Sequence, residues 1–268
     1  MKSCKSGRLS VYVSSPDSYA DVFEVFLKGY HKYWADCPYE FILSTNNHNY
    51  EGLSCICNHK TQDTWVERTL AAMPMIRSKY LLLMCDDLII SGAVDNSKIE
   101  QILDFMDERD IKFCRFKPVP RKNIIAGIPF LSKVNRQMPY AINLQIGIFR
   151  KDYFESLLGE GSLSAWDIER ELIKESAKAK DEFFSDVVAL NRPVLPFVHG
   201  VIKGKWIRCS VSYVHKEYPE YKVRRDVISW LLQFKIDFGE TCKQRLSTRQ
   251  IGRIKKVLRH IGVSFVVG

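Results

Sequence analysis

Ser78-Lys79-Tyr80-Leu81-Leu82-Leu83-Met84-Cys85-Asp86-Asp87 is the stretch on which the fold turns. Residues 80–85 are apolar without alternation, as in a short strand buried on both faces. Two carboxylates follow at once. A charge placed beside a buried strand must be paired or bound to a metal. Hard oxygen ligands of this kind suit Mg²⁺ or Mn²⁺, which bridge readily to a diphosphate. The plainer alternative is a capped turn after the strand.

Working outward, the chain upstream alternates between two periods. Residues 9–15 read as a first strand ending in Ser14 and Ser15. Pro16-Asp17-Ser18 opens a helix with Phe23, Val25, Phe26 and Tyr30 as its apolar stripe. Strands are expected at 41–45 and 53–57, then a helix over 64–73 that Pro74 ends. Strand, helix, strand, strand, helix, strand is the pattern of an α/β protein with a mostly parallel sheet flanked by helices. In such sheets ligands bind beyond the carboxyl ends of the strands, and the acidic pair stands at one.

Downstream, a helix is expected over 97–108 and a strand over 111–116. Residues 117–140, broken by four prolines, read as an irregular lid or binding loop. Residues 141–150 read as a strand, 152–158 and 165–178 as helices, and 194–198 as a Pro-flanked strand leading into His199-Gly200. The expected organisation is one domain over 1–220 in two halves, 1–95 and 96–220, followed by a basic, helical segment over 221–268.

Composition narrows the class. At 268 residues, 46% hydrophobic and 26% charged, the chain can bury a sizeable core. The N-terminus is polar and basic rather than apolar, and no run approaches a membrane span. The expectation is a cytoplasmic protein, peripheral on the inner membrane face if attached at all, whose eight cysteines are reduced. Cys55-x-Cys57 has no second pair at zinc spacing. Residues 221–268 hold eleven Lys and Arg against three acids, so nearly all of the net charge of +9 sits there. The body is near neutral, so no nucleic-acid partner is expected. Ile251, Ile254, Leu258 and Ile261 follow helical spacing, so the tail reads as a basic amphipathic helix. It would lie on an anionic membrane surface or pack on the body with a solvated basic face.

The run from Ser78 to Asp87 resembles the strand-plus-acidic motif of GT-A glycosyltransferases, in the form found in small bacterial enzymes that build surface polysaccharides. Cys85 stands where many relatives carry a third acid. The resemblance implies a GT-A-like fold and a metal, Mn²⁺ or Mg²⁺, on Asp87, with Asp86 nearer the ribose or sugar. Trp166-Asp167-Ile168-Glu169 is similar to the acceptor-flanking segment of inverting members. By that likeness Glu169 is the first choice for general base, Asp167 the second, and Trp166 an acceptor contact. The competing reading makes Ser164 an N-cap partnered by Asp167, and Trp166 a core anchor.

His199-Gly200-Val201-Ile202-Lys203-Gly204-Lys205-Trp206 resembles the Lys-Gly-Lys-Trp segment of the same bacterial group. It is loosely similar to the His-x-x-Gly-x-x-Lys-Pro-Trp motif of glycogenin-like retaining enzymes. The likeness implies His199 as a metal ligand and Lys203 or Lys205 as partners of the leaving diphosphate. The alternative is a solvated basic turn. Ser14, Ser15, Thr45 and Asp63, with Asp17 and Trp65 nearby, fall where such enzymes hold the nucleotide. The expected donor is UDP-linked and the expected acceptor a glycan, lipid-linked. A sugar nucleotidyltransferase is the rival enzyme, but Ser14-Ser15-Pro16-Asp17 is not the Gly-rich loop it needs. A non-catalytic nucleotide or nucleic-acid binding module is the rival of another class.

Overall fold

The computed structural model describes residues 7–57, 64–138, 140–161, 163–178, 180–234 and 236. The chain divides into two compact units, Met1–Val198 and His199–Gly268.

The frame of the first unit is a nine-stranded sheet. Its first strand, β1 (Leu9–Ser14), pairs in parallel with β2 (Glu40–Thr45) on one side and β4 (Tyr80–Cys85) on the other. β3 (Ser54–Cys57) adds in parallel outside β2. The unbroken apolar run of β4 is explained by burial on both faces. Tyr80, Leu82 and Met84 join one core cluster with Val11, Val13 and Phe26, while Leu81 and Leu83 join a second with Tyr12, Ile42 and Val66. Each fully buried Leu here is worth about 1.5–3 kcal/mol. The first cluster is closed by α1 (Ala20–Tyr33), whose Val22, Phe23, Val25 and Phe26 are buried. The second is closed by α2 (Trp65–Ala72). A capping box starts α2, with Thr64 and Glu67 each accepting the other's backbone N–H, at 3.1 and 2.7 Å. Pro74 lies in the 3-10 turn that ends it.

After β5 (Leu88–Ile90) and α3 (Asn96–Glu108) the chain lays down β6 (Phe113–Arg115) and the hairpin β7 (Ile124–Ile125) and β8 (Ile128–Asn135). Then come β9 (Gly147–Arg150), α4 (Lys151–Leu158), α5 (Ala165–Lys178), β10 (Phe183–Leu190) and β11 (Phe197–His199). The sheet order is β3-β2-β1-β4-β9-β6-β10-β8-β7. β9 runs antiparallel to both β4 and β6, and β8 antiparallel to β10 and β7. Every other strand shares one direction, so the sheet is mostly parallel, as expected. β9 fits between its neighbours because Gly147 has no side chain. A Cβ there would meet the Phe113 ring at 2.5 Å and the Cys114 carbonyl at 2.6 Å.

Four elements differ from the sequence reading. Residues 117–140 are not an irregular lid: they contain the β7–β8 hairpin, turned at Ala126-Gly127 and joined to β10. Pro118 and Pro120 precede the hairpin, and Pro129 sits near the start of β8, where a missing N–H is tolerated. Residues 141–146 are not strand, because side chains take their backbone donors. The Leu144 N–H goes to Glu169 at 2.8 Å, and the Gln145 N–H to Asn143 Oδ1 at 3.1 Å. β10 is a strand that its mixed Phe-Phe-Ser-Asp start conceals. Finally, the strand near 194–198 begins only at Phe197. Val194 and Pro196 instead give their carbonyls to the N–H groups of Asp95 and Ser91.

In the second unit, β12 (Val201–Ile202) and β13 (Lys205–Trp206) form a hairpin, followed by α6 (Arg208–Glu217). Lys203 and Gly204 both have positive φ, 51° and 75°, as a two-residue primed turn requires. Trp206 is fully buried, with Tyr221 against it. Among the described residues, no helix is long and apolar enough to cross a membrane.

Candidate active site

Topology places the site. From β1 the chain moves outward to β2 and β3, then returns across β1 to β4. Successive connections thus leave β1 in opposite directions, the kind of switch point at which α/β sheets bind ligands beyond the carboxyl ends of their strands. Ser14 pairs in register with Cys85, so Ser15 and Asp86 leave the sheet side by side. The Ser15 hydroxyl donates to Asp86 Oδ2 at 2.7 Å, and its N–H is fixed to the Ser44 carbonyl. Asp87 follows, half-buried.

The electrostatics of this corner are unbalanced toward negative charge. Burial and the charge of Asp87 push the Asp86 carboxyl up to about 7, against the pull of the Ser15 hydroxyl and the Arg68 charge. Arg68 escaped the sequence reading. It is a buried residue of α2, and its Nε donates to Ser14 Oγ at 3.3 Å. No local signal marks it: Arg68 is buried with Thr69 and Ala72 because theirs is the face of α2 that meets the sheet. Burial, with Asp87, Asp86 and Glu169 close enough to add their charge, raises the Cys85 thiol well above its ordinary value. Cys85 is therefore a neutral donor here, and it gives its proton to the Gln145 carbonyl at 3.2 Å.

Glu169 belongs to the same neighbourhood through the 143–145 loop. It is buried in the first turns of α5, and its Oε1 accepts the Leu144 N–H. Burial raises its carboxyl above the ordinary value, opposed by the Leu144 N–H and the Arg115 charge. Burial likewise lowers the Arg115 guanidinium to about 10, while Glu169 opposes that shift. The loop itself, Asn143 to Gln145, was not anticipated as part of the site. Asp167 has a different setting. Its Oδ2 accepts from the Ser164 hydroxyl and N–H, its own N–H bonds Ser164 Oγ, and its Oδ1 accepts from Arg170. The capping arrangement considered for Asp167 is thus formed. Trp166 is not a core anchor; it is 62% exposed.

The other expected nucleotide residues lie at the neighbouring strand end. Thr45 closes β2, and its hydroxyl donates to the His48 carbonyl at 2.7 Å. Asp17 gathers the N–H groups of Asn46, Asn47 and His48 at 3.0–3.2 Å, and so fixes the loop that leaves β2. Trp65 begins α2 and packs edge-on to Phe154. Asp63 lies outside the described residues. His199, Lys203 and Lys205 belong to the second unit. His199 is exposed, and its carbonyl accepts the Ser210 hydroxyl. Lys203 sits in the primed turn, and Lys205 pairs with Asp226 at 2.9 Å. Lys-Gly-Lys-Trp therefore takes the form of a basic hairpin turn.

Among the described residues, no group of three or more His, Cys, Asp and Glu is arranged to hold a metal ion. The Asp86–Asp87 pair alone suits a hard divalent cation: its donors are oxygens, and the two charges destabilise each other. The pair offers part of a coordination shell, as expected where substrate oxygens supply the remainder.

Several solved structures are similar to the chain at low identity. The chain is similar to S. aureus TarS 1-349 in complex with UDP-GlcNAc, with 13% identity and a TM-score of 0.48 over 74% of this chain and 60% of that one. It is similar to mannosyltransferase PcManGT from Pyrobaculum calidifontis in complex with GDP-Man and Mn²⁺, with 11% identity and a TM-score of 0.46 over 87% and 64%. A cytidylyltransferase from Leptospira borgpetersenii is also similar, with 10% identity and a TM-score of 0.41 over 83% and 100%. The chain spans 59% of the length of another TarS 1-349 structure and 36% of a longer TarS structure. No family model matches the chain, and no curated protein matches it.

Proposed function

We propose that this protein is a GT-A-type glycosyltransferase that moves a sugar from a nucleotide-diphosphate donor, UDP-linked, to a glycan acceptor carried on a lipid. The observation that carries the reading is the Ser15–Asp86 hydrogen bond at the topological switch point, with Asp87 beside it. Such a switch point is where an α/β sheet binds a nucleotide, and the acidic pair is what a diphosphate-bridging cation requires.

In this reading Ser14, Ser15, Thr45 and Asp63 contact the nucleotide, and Asp86 orients the ribose or sugar. Asp87 would hold Mn²⁺ or Mg²⁺, which when bound would supply Lewis-acid stabilisation of the leaving diphosphate. Trp166, exposed at the start of α5, offers a ring face to the acceptor sugar. Glu169 takes the proton of the acceptor hydroxyl as that oxygen bonds to the anomeric carbon and the bond to the diphosphate breaks. Its raised basicity suits that role. The basic segment 221–268 is proposed to hold the enzyme at an anionic membrane surface, on the cytoplasmic side, where a lipid-linked acceptor resides.

Calorimetry with UDP and Mn²⁺ tests the core of this proposal. Binding should require the metal, and Asp87→Ala should weaken it at least ~10-fold, about 1.4 kcal/mol, with an unchanged unfolding transition. Equal affinity with and without metal would remove the role given to Asp87. Nucleotide-sugar hydrolysis over a donor panel then identifies the sugar.

A further inference from the structure

Residues 230–234 form a helical turn that is built inside out. Trp230, Leu231 and Phe234, spaced to share one helix face, are 74%, 65% and 67% exposed. The polar member of the turn, Gln233, is the buried one. Its Oε1 accepts the Arg208 N–H at 3.1 Å, at the start of α6. A turn whose task is to close a core presents the opposite face. Nor is this a loose end: Ile228, just before it, is buried and donates its N–H to the Trp206 carbonyl. The apolar face is thus held outward by a fixed polar one. Contiguous exposed apolar surface of this kind marks a contact site.

We propose that this turn is a membrane contact, which inserts Trp230, Leu231 and Phe234 into the interface of an anionic lipid bilayer. It deepens the membrane element of the function proposed above and names the residues that meet the lipid. Charge selects the partner. Residues 199–234 carry seven Lys and Arg against three acids, and residues 235–268 add eight against two. Lys222 and Arg224 are exposed just before the turn. The Arg208 guanidinium lies over the Trp230 ring at 4.3 Å. That pairing places a phosphate-seeking cation beside an aromatic ring, the combination suited to the headgroup boundary. A second copy of this surface would oppose positive charge with positive charge, which disfavours self-association.

Co-sedimentation of the full chain with vesicles tests this. Wild type should bind phosphatidylcholine mixed with phosphatidylglycerol, ignore phosphatidylcholine alone, and release as salt rises. The triple variant Trp230→Ser, Leu231→Ser, Phe234→Ser should bind at least ~10-fold more weakly while its nucleotide-sugar hydrolysis is unchanged. If the triple variant misfolds, brominated lipid decides: it should quench wild-type tryptophan fluorescence, and quench Trp230→Phe much less. Wild-type indifference to anionic vesicles, undiminished binding by the folded variant, equal quenching of both proteins, or a wild-type dimer that the variant dissociates would each overturn the proposal. Vesicle binding through this turn in a chain that turns over no nucleotide-sugar would overturn the transferase reading alone.

Discussion

Glu169 and Asp167 stand two residues apart on one helix, in different chemistry. Both oxygens of Asp167 are engaged by Ser164 and Arg170, and those hydrogen bonds hold its carboxyl below the ordinary value. An acid so stabilised as its anion is a poor proton acceptor. Glu169 is buried, held through one oxygen, and shifted the other way. We therefore expect Glu169→Gln to lower kcat by about 10²–10⁴-fold with little change in donor affinity. Asp167→Asn should act mainly on helix stability, lowering the melting temperature with little change in kcat. Single-turnover rates and thermal melts on both variants separate the roles. A large kcat loss in Asp167→Asn alone would transfer the base to Asp167.

Asp17 works between elements. It follows β1 and holds the loop that leaves β2, through the N–H groups of Asn47 and His48. Burial would raise its carboxyl, but those donors outweigh it, so the folded value lies below the ordinary 3.8. The sign follows: the stabilisation is complete above the ordinary value and is lost as pH falls through the depressed one. Asp17→Ala should cost about 2 kcal/mol at pH 7, and urea titrations should show that difference shrinking as pH drops below the ordinary carboxylate range. A pH-independent difference would mean that the lost contacts are not ionic. Such links also show what the sequence could reveal. Strands β1 to β4 and the helices between them were legible because each has a strong local period. The β7–β8 hairpin was hidden by its prolines, and residues 141–146 mimic a strand whose donors are taken by Asn143 and by the distant Glu169. Asp86 and Asp87 could be found by their position after a buried run. Arg68 could not, since its burial depends on which face of α2 meets the sheet.

For the whole molecule, the uneven charge is the main lever. Residues 221–268 were expected to form a basic helical segment; most of that stretch lies outside the described residues, apart from 221–234 and 236. Truncation after Thr241 removes seven Lys and Arg and no acid. If the segment draws the enzyme to anionic lipid, the truncated chain should bind such vesicles more weakly at low salt, by at least ~10-fold, and keep its donor hydrolysis. Loss of solubility instead would show that the segment covers an apolar face. The assembly of the sheet carries another consequence. β9 lies between β4 and β6 in space but follows both in the chain. During synthesis β6 thus emerges before the strand that must separate it from β4, and the slot stays open until Gly147–Arg150 has left the ribosome. The first four strands can assemble early, while their β4 edge waits unpaired. Stalled nascent chains ending before residue 140 should accordingly remain open to protease and prone to aggregation, and chains long enough to expose β9 should become protected in a single step.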